Sequence, residues 1–306
     1  MRPQGAIALL SETYSEWSED KGPRLGAALA YYAVFSIPPI MIIALGVLGF
    51  IYSGNVADRL QTQLETLIDG ETARLLVASV QTSSQSGGLV AGLIGLGILF
   101  FGATGVFIEL QDALNVIWGV KPKEEGIKGL IRGRFTSFTM VLGICFLLLV
   151  SLIVTAVVAA LSERFVLMIP GGEAIGHILE MSATFVVITL LFAMIFKILP
   201  DVEIRWNDVW IGAIVTALLF TIGKFVIGMY IGKASIGSTY GAAGSMVVLV
   251  TWVYYSAQIL YFGAEFTHVY ATRRNALRVV PTENAERLSA EDRTAQGLKN
   301  GQKPAA

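Results

Sequence analysis

The chain has 306 residues, of which 54% are hydrophobic and only 15% are charged, whereas ordinary soluble domains carry about 25% charged residues. Its mean hydropathy is +0.66 and its formal net charge is −1. These values argue against a soluble globular enzyme, and they give no basic field that would favour a nucleic-acid partner. The lone cysteine, Cys145, excludes an intrachain disulfide, and two histidines are too few for most zinc or iron sites, so we expect no metal and no other cofactor.

The N-terminal segment, residues 1–24, is expected to be amphipathic. Its apolar side chains recur at helical spacing, at Ile7, Leu10, Tyr14 and Trp17. This pattern is typical of a short helix that lies on a membrane surface. A soluble cap on a helix bundle explains the pattern equally well. Gly22-Pro23 is expected to end the element.

Six apolar stretches are long enough to cross a hydrocarbon core, which takes about 20 helical residues. They lie at about 25–52, 89–107, 138–161, 182–199, 209–231 and 246–270. Open strands are excluded, because their edges would leave backbone groups unpaired in lipid. The predicted fold is therefore all-α, a polytopic membrane bundle of six transmembrane helices over residues 25–270.

Lysines and arginines predict the orientation of these helices. Seventeen of the 22 basic residues fall in the N-terminal segment, in the second loop, in or just before the fourth loop, and in the tail, whereas four fall in the loops on the other side. Because basic residues concentrate on the cytoplasmic side, we expect both termini to be cytoplasmic.

Two segments outside the bundle have distinct compositions. The external loop 53–88 carries an apolar stripe, which predicts one or two amphipathic helices that cap the outer face. The tail, residues 271–306, is cytoplasmic in this topology. Beyond Pro281 the tail is polar and lacks aromatic residues, so we expect it to be disordered.

The first span contains two adjacent prolines, Pro38 and Pro39, about 20 Å along the helix from its start. Each proline removes an amide donor, so the first helix is predicted to be broken near the middle of the bilayer. The freed carbonyls, with the hydroxyls of Tyr31, Tyr32 and Ser36, would form a substrate site. A kink satisfied by neighbouring helices is the structural alternative.

Polar side chains form a stripe along the sixth span. Its members, spaced by three or four residues, are Thr251, Tyr254, Gln258, Tyr261, Glu265 and His268. Lipid disfavours such a face, so the stripe should turn toward the bundle interior or a water-filled cavity. Glu265 is the costliest member, at about 2.5–3.5 kcal/mol for a charge at mid-bilayer and less near the helix end. The stripe therefore predicts a polar pathway or a set of hydrogen bonds between helices.

Other ionisable residues lie within or beside the spans. Lys224 is deep in the fifth span and should pair, meet water or extend toward the outer interface. Glu109, Asp112 and Asn115 lie at the cytoplasmic end of the second span. They predict a cytoplasmic vestibule, with interfacial solvation or an ion pair with Lys197 as the alternative.

Small residues four apart recur in the second and fifth spans, at Gly88 and Gly92, Ala91 and Gly95, and Gly228 and Gly232. Such pairs let helices approach closely, within one chain or between the copies of a homo-oligomer.

Signatures of catalysis are missing from the sequence. It has no glycine-rich phosphate loop ending in Lys-Ser or Lys-Thr, and no His-Glu-x-x-His. The loop 119–135 holds five basic residues, which suit topology and contact with anionic lipid. We therefore expect no catalytic residues and no enzymatic activity.

Three blocks of sequence resemble one known family. The first block runs from Leu25 to Tyr32 and continues as Phe35-Ser36-Ile37-Pro38-Pro39. The second block is Leu199-Pro200-Asp201-Val202, with Trp206 and Gly212-Ala213. The third block comprises Tyr240-Gly241-Ala242-Ala243-Gly244, Trp252-Val253-Tyr254 and Gly263-Ala264-Glu265. In this order, between about Gly22 and Tyr270, they are similar to the YihY/virulence factor BrkB family of bacterial inner-membrane proteins, formerly labelled ribonuclease BN. The resemblance implies six helices and residence in the inner membrane, and it implies no settled activity.

The leading hypothesis is a transporter or flippase-like protein that moves a solute or lipid between the first, fifth and sixth helices. The expected pathway residues are Tyr31, Tyr32, Ser36, Pro38, Pro39, Lys224, Tyr240, Thr251, Tyr254, Gln258, Tyr261 and Glu265. Glu265 and Lys224 would bind a proton, an ion or a charged head group, and membrane lipids are the expected partners. A non-catalytic envelope scaffold that contacts other proteins through residues 55–80 is the alternative, and a membrane-bound ribonuclease is a remote third.

Overall fold

The computed structural model describes residues 3–33, 105–123, 172–233, 244–275 and 280–298, and these residues are mostly helical. The elements in chain order are α1 (Pro3–Glu19), α2 (22–33), α3 (105–117), β1 (Val120–Pro122), α4 (Gly172–Ile198), α5 (Trp206–Lys233), α6 (Gly244–Asn275), β2 (Ala285–Arg287) and α7 (Ala290–Ala295). Three of these helices, α4, α5 and α6, are long and apolar enough to cross a membrane. They coincide with the last three predicted spans. The predicted third span and the external loop 53–88 lie outside the described residues, so the count of six stays a prediction.

The first turn of the chain lies between α1 and α2. Helix α1 ends at Glu19, and Lys21 adopts the left-handed conformation with φ 57°. Gly22 and Pro23, expected to end the N-terminal element, instead begin α2. Proline suits the first turn of a helix, where its missing amide has no helical partner. Glycine is required before it, because a Cβ at this position would come within 2.5 Å of the Trp17 ring.

Helix α5 has an exposed apolar face. Large exposed side chains recur along it at intervals of three or four residues, at Trp206, Trp210, Ile214, Leu218, Ile222, Phe225 and Met229. The opposite face buries small residues, among them Ala213 and Ala217. An apolar face of this length suits contact with lipid, and tryptophans at the start of the helix suit the membrane–water interface.

Helix α3 continues beyond the predicted end of the second span and leads into a strand. Gly119, with φ 65°, closes the helix in a left-handed conformation that favours glycine. The chain then enters β1, which pairs antiparallel with β2 so that Val120 lies opposite Arg287 and Pro122 opposite Ala285.

The tail is ordered over residues 280–298, contrary to the disorder expected beyond Pro281. Helix α7 follows β2 and begins with a capping box, in which Ser289 and Asp292 each bond the backbone amide of the other. Arg293 donates to Asp20 at 3.0 Å, and both side chains are buried. Composition alone predicts disorder because the tail is polar. Its order arises from pairing with segments that are distant in the sequence.

The described residues divide into two compact units. The first contains residues 3–25, 110–123, 172–224, 258–275 and 280–298, and the second contains residues 26–33, 105–109, 225–233 and 244–257. Within the first unit, Phe192 of α4 packs on Phe196 and on Phe220 of α5, with ring centroids 6.1 and 5.7 Å apart.

Segments that the predicted topology assigns to one side of the membrane lie together in the first unit. The β1–β2 pair joins the segment after α3 to the tail. Val202, after α4, bridges Pro281 of the tail, and the Arg293–Asp20 pair attaches the N-terminal segment. Because segments in contact must share one side of a membrane, the structure agrees with the predicted grouping. That this side is cytoplasmic stays a prediction.

Candidate functional site

The second half of α6 carries a buried polar face. Tyr261 and Glu265 have 0% relative exposure, and His268 has 5%. Gln258, one turn earlier, is partly buried. This part of the predicted stripe therefore turns toward the protein interior.

Helix α1 lies antiparallel along this half of α6. Leu9 joins the apolar cluster near the end of α6, and Glu12 forms an ion pair with Arg273. Further along α1, the Trp17 ring packs edge-on against Phe262, with centroids 6.5 Å apart. The two helices run in opposite directions, because residues later in α1 contact residues earlier in α6.

The N-terminal segment was expected to be either a helix on the membrane surface or a cap on the bundle, and each interpretation fits one face of α1. Leu9 and Thr13 are buried, so one face caps the bundle. Ile7, Leu10 and Tyr14 remain exposed. A docked helix that presents such an apolar stripe outward is suited to rest on a membrane surface.

Contact between α1 and α6 brings together three side chains that can bind protons or metals. One donor atom each from Glu16, Glu265 and His268 lies within 4.8 Å of the other two. His268 Nδ1 is 3.9 Å from Glu265 Oε2. The Trp118 ring packs edge-to-face on the His268 ring, with centroids 5.0 Å apart. Two carboxylates and an imidazole thus converge on one side of α6.

Two more polar groups belong to the same stretches of α1 and α6. The indole N–H of Trp17 and the side-chain amide of Gln258 are buried, and neither has a hydrogen-bond partner among the described residues. A buried polar group left unsatisfied costs about 1–3 kcal/mol. Water or a polar ligand at these groups would recover that free energy.

Helices α5 and α6 pack through two reciprocal glycine–threonine contacts. A Cβ on Gly263 of α6 would lie 2.8 Å from the Thr216 Cβ of α5, and a Cβ on Gly212 of α5 would lie 2.8 Å from the Thr267 Cβ of α6. Each threonine hydroxyl donates 2.7 Å to the carbonyl of the glycine four residues before it. The hydroxyls are thereby satisfied within their own helices, which lets the two backbones approach closely. This contact fixes α6, and with it Glu265, against α5.

Asn115, predicted to line a vestibule, holds the turn after α4. Its Nδ2 donates to Asp201 Oδ2 at 2.8 Å, and the Asp201 amide donates to Asn115 Oδ1 at 2.8 Å. Gln111 donates to the same carboxylate at 3.1 Å. Lys197 donates to a backbone carbonyl before α5, and Asp112 is exposed. Asn115 therefore has a structural role in this turn.

The other predicted pathway residues are spread over the chain. Ser36, Pro38, Pro39 and Tyr240 lie outside the described residues. Lys224, in the first unit, is exposed. In the second unit Tyr31 and Tyr32 are exposed, whereas Glu109, Thr251 and Tyr254 are partly buried. Of the predicted pathway residues, the buried face described above contains Gln258, Tyr261 and Glu265.

Sequence reasoning missed Glu16 as a partner of this face. Glu16 lies in an acidic run that suggests a solvated surface, and its partners lie near the other end of the chain. The sequence carries no signal for this contact, because the burial of Thr13 and Asp20, each about one turn from Glu16, is known only from the fold.

Charged groups outside the spans fasten the tail. A hydrogen bond from the Ser289 hydroxyl, followed by one from Lys121, lowers the pKa of Asp292 to about 2. The same hydrogen bond from Lys121 to Asp292, 2.9 Å long, raises the pKa of the Lys121 ammonium. Both groups are therefore charged at neutral pH and hold α7 against β1.

Similarity to known proteins places the chain in a family. The model of a family described as "Virulence factor BrkB" matches residues 13–288 of the chain. The chain belongs to the virulence factor BrkB family. This membership confirms the resemblance predicted from the three sequence blocks. No solved structure matches the chain.

Three relatives of the chain are each named a UPF0761 membrane protein. A UPF0761 membrane protein of Verminephrobacter eiseniae is 27% identical over 247 residues, which cover 79% of this chain and 57% of that protein. One from Pseudomonas aeruginosa is 25% identical over 254 residues, or 80% of this chain and 58% of that protein. One from Vibrio vulnificus is 25% identical over 279 residues, or 90% of this chain and 86% of that protein. The chain thus spans less than three fifths of the first two relatives.

Proposed function

We propose that this BrkB-family protein is a transporter or flippase-like protein of the bacterial inner membrane, with both termini cytoplasmic and no enzymatic activity. Glu265 carries the proposal, because it is fully buried on a helix that is long and apolar enough to span a membrane. Acidic side chains in such helices are costly, and they usually mark a path for ions, protons or charged substrates.

The neighbours of Glu265 support this role. Tyr261 and His268 lie one turn before and after it on the same helix face, and Gln258 extends the polar face by another turn. His268 Nδ1 lies 3.9 Å from Glu265 Oε2, so a side chain that can donate or accept a proton stands beside the carboxylate. The group as a whole suits a proton, a cation or the charged head group of a lipid.

Two exposed apolar surfaces favour a lipid or an amphiphilic solute as the substrate, because such a substrate can reach the protein from the bilayer. Helix α5 exposes a stripe of large apolar side chains from Trp206 to Met229, and α1 presents a second apolar stripe at Ile7, Leu10 and Tyr14. The scaffold alternative depends on residues 55–80, which lie outside the described residues, so no observation favours it.

Reconstituted vesicles test the proposal. The purified chain is inserted into liposomes that contain a pH-sensitive dye and a fluorescent phospholipid, and the movement of protons and of lipid is followed in separate traces. We expect wild-type vesicles to move at least one of them faster than empty vesicles. Glu265→Gln should slow that movement at least ~10-fold, which corresponds to about 1.4 kcal/mol.

A matched control distinguishes the effect of losing Glu265 from the effect of losing any acidic side chain. Glu203→Gln changes an exposed residue in the loop before α5 and should leave the rate unchanged. Wild-type vesicles that behave like empty ones, or a Glu265→Gln rate equal to that of the wild type, would contradict the proposal.

A further inference from the structure

Three potential metal ligands meet where α1 packs along α6. Glu265 and His268 are three residues apart and share one helix face, while Glu16 approaches them from α1. The contact between α1 and α6 is fixed on either side of Glu16, by the Glu12–Arg273 ion pair and by the Trp17–Phe262 ring contact. Convergence of the three donors is therefore a consequence of how the helices dock.

The donor spacing is close to what a single metal ion requires. Ligand atoms at about 2.1 Å from a tetrahedral metal lie about 3.4 Å from one another. His268 Nδ1 and Glu265 Oε2 are 3.9 Å apart, and the largest separation in the group of three is below 4.8 Å. Glu16 is only partly buried, and its rotatable side-chain bonds allow its carboxylate to approach the other two donors.

Charge compensation also favours a divalent ion. Like charges held close together are unfavourable, and the two carboxylates of this group lie within 4.8 Å of each other. A divalent cation carries the two positive charges that match two carboxylates, and it binds imidazole in its neutral form.

We propose that Glu16, Glu265 and His268 form a binding site for a divalent first-row transition-metal ion such as Mn²⁺ or Zn²⁺. The set of two carboxylate oxygens and one imidazole nitrogen suits these ions, whereas Mg²⁺ and Ca²⁺ prefer oxygen ligands alone. Three protein ligands leave a position for water. The indole N–H of Trp17, the residue after Glu16, is buried and has no hydrogen-bond partner among the described residues. Trp118 holds the His268 ring in position as a neighbour that does not itself bind the ion.

The experiment measures binding and not flux, because Glu265 also belongs to the proposed transport pathway and the two proposals must be able to fail separately. The full chain, with its affinity tag removed, is stripped with a chelator in detergent micelles and titrated calorimetrically with MnCl₂, ZnCl₂ and, for comparison, MgCl₂. We expect one equivalent of Mn²⁺ or Zn²⁺ to bind, and Mg²⁺ to bind at least ~100-fold more weakly. Visible absorption of bound Co²⁺ provides a second readout of the ligand set.

Ligand variants identify the site. Changes to groups outside the ligand shell commonly weaken metal binding about 10–100-fold, so Glu16→Gln and His268→Gln should each weaken it at least ~100-fold. Glu16 is only partly buried, so its variant is expected to remain folded, as checked by size-exclusion chromatography. Glu19→Gln is the matched control, since Glu19 lies one turn away on α1, is partly buried like Glu16, and accepts a hydrogen bond from the Ser15 hydroxyl.

Each outcome decides the proposal. Loss of binding in Glu16→Gln and His268→Gln, with wild-type affinity in Glu19→Gln, supports the site. A folded wild-type chain that binds none of the ions would overturn it. Equal affinity in wild type and both ligand variants, or equal affinity for Mg²⁺ and Zn²⁺, would also overturn it.

Discussion

The glycine–threonine contacts between α5 and α6 make a sharp prediction about stability. Replacing Gly263 with alanine places a Cβ 2.7 Å from Thr216 Cγ2 and 2.8 Å from Thr216 Cβ. A new rotamer can move the methyl group, but it cannot move the Cβ, which is fixed to the backbone. The two helices must therefore separate or tilt.

The magnitude follows from two opposed effects. Overpacking of a close contact typically costs about 1–3 kcal/mol, and the Cβ–Cβ overlap places this site at the upper end. Alanine recovers about 0.8–1.0 kcal/mol relative to glycine within a helix. We expect Gly263→Ala to lower the free energy of unfolding by about 2 kcal/mol, or about 30-fold in the folding equilibrium.

Unfolding in mixed micelles, driven by increasing SDS and followed by tryptophan fluorescence, measures the effect. Gly228→Ala is the control on α5, because a Cβ at Gly228 meets nothing within 4 Å among the described residues. That variant should be as stable as the wild type or slightly more stable. Removing the opposing side chain in Gly263→Ala/Thr216→Gly should recover part of the loss, so that the double variant is more stable than the sum of the single changes predicts.

This reasoning would be refuted if the stability losses of Gly263→Ala and Thr216→Gly simply added in the double variant. It would also be refuted if Gly263→Ala were as stable as Gly228→Ala. Such a result would mean that α5 and α6 are not held at the close distance that the threonine contacts require.

Three further predictions concern contacts within the first unit that hold the tail and the turn after α4. Arg293→Ala removes the guanidinium that lies 3.0 Å from the buried Asp20 carboxylate, and this change should destabilise the docked tail by about 3–5 kcal/mol. Hydrogen exchange measured by mass spectrometry should become faster over residues 280–298. Unchanged exchange would show that the ion pair is dispensable. The pKa of Asp292 is lowered from 3.8 to about 2, so its stabilising effect is complete above about pH 4 and is lost as the pH falls toward 2. Pepsin should therefore cut the tail of Asp292→Asn faster than that of the wild type at pH 4, and the two rates should converge at pH 2; a difference that does not depend on pH would contradict the assignment to the Lys121 and Ser289 hydrogen bonds. Asn115→Ala removes two hydrogen bonds from the turn after α4 and should cost about 2 kcal/mol in SDS unfolding, with no change as the contrary result.

The sequence predicted those features that depend on local composition. The last three spans coincide with α4, α5 and α6 because uninterrupted apolar runs leave few alternatives to a membrane helix. The inward direction of Tyr261, Glu265 and His268 was also predictable, since a stripe of polar residues is unfavourable against lipid.

Features that depend on distant contacts were not predictable. Gly212 and Gly263 have no special meaning until α5 and α6 are placed side by side, whereas the glycine pairs noticed in the sequence lie elsewhere. Glu16 could not be linked to Glu265 without knowing that α1 folds back along α6. The order of the tail likewise depends on Arg293 finding Asp20, which composition does not reveal.

Transport through the buried polar face of α6 is the central claim, and flux in vesicles tests it most directly. Wild type, Glu265→Gln and Glu203→Gln are reconstituted at equal density, and proton and lipid movement are recorded for each. The account predicts movement in wild type and Glu203→Gln at the same rate, with Glu265→Gln at least ~10-fold slower. Equal rates in all three, or no movement above that of empty vesicles in any, would contradict it.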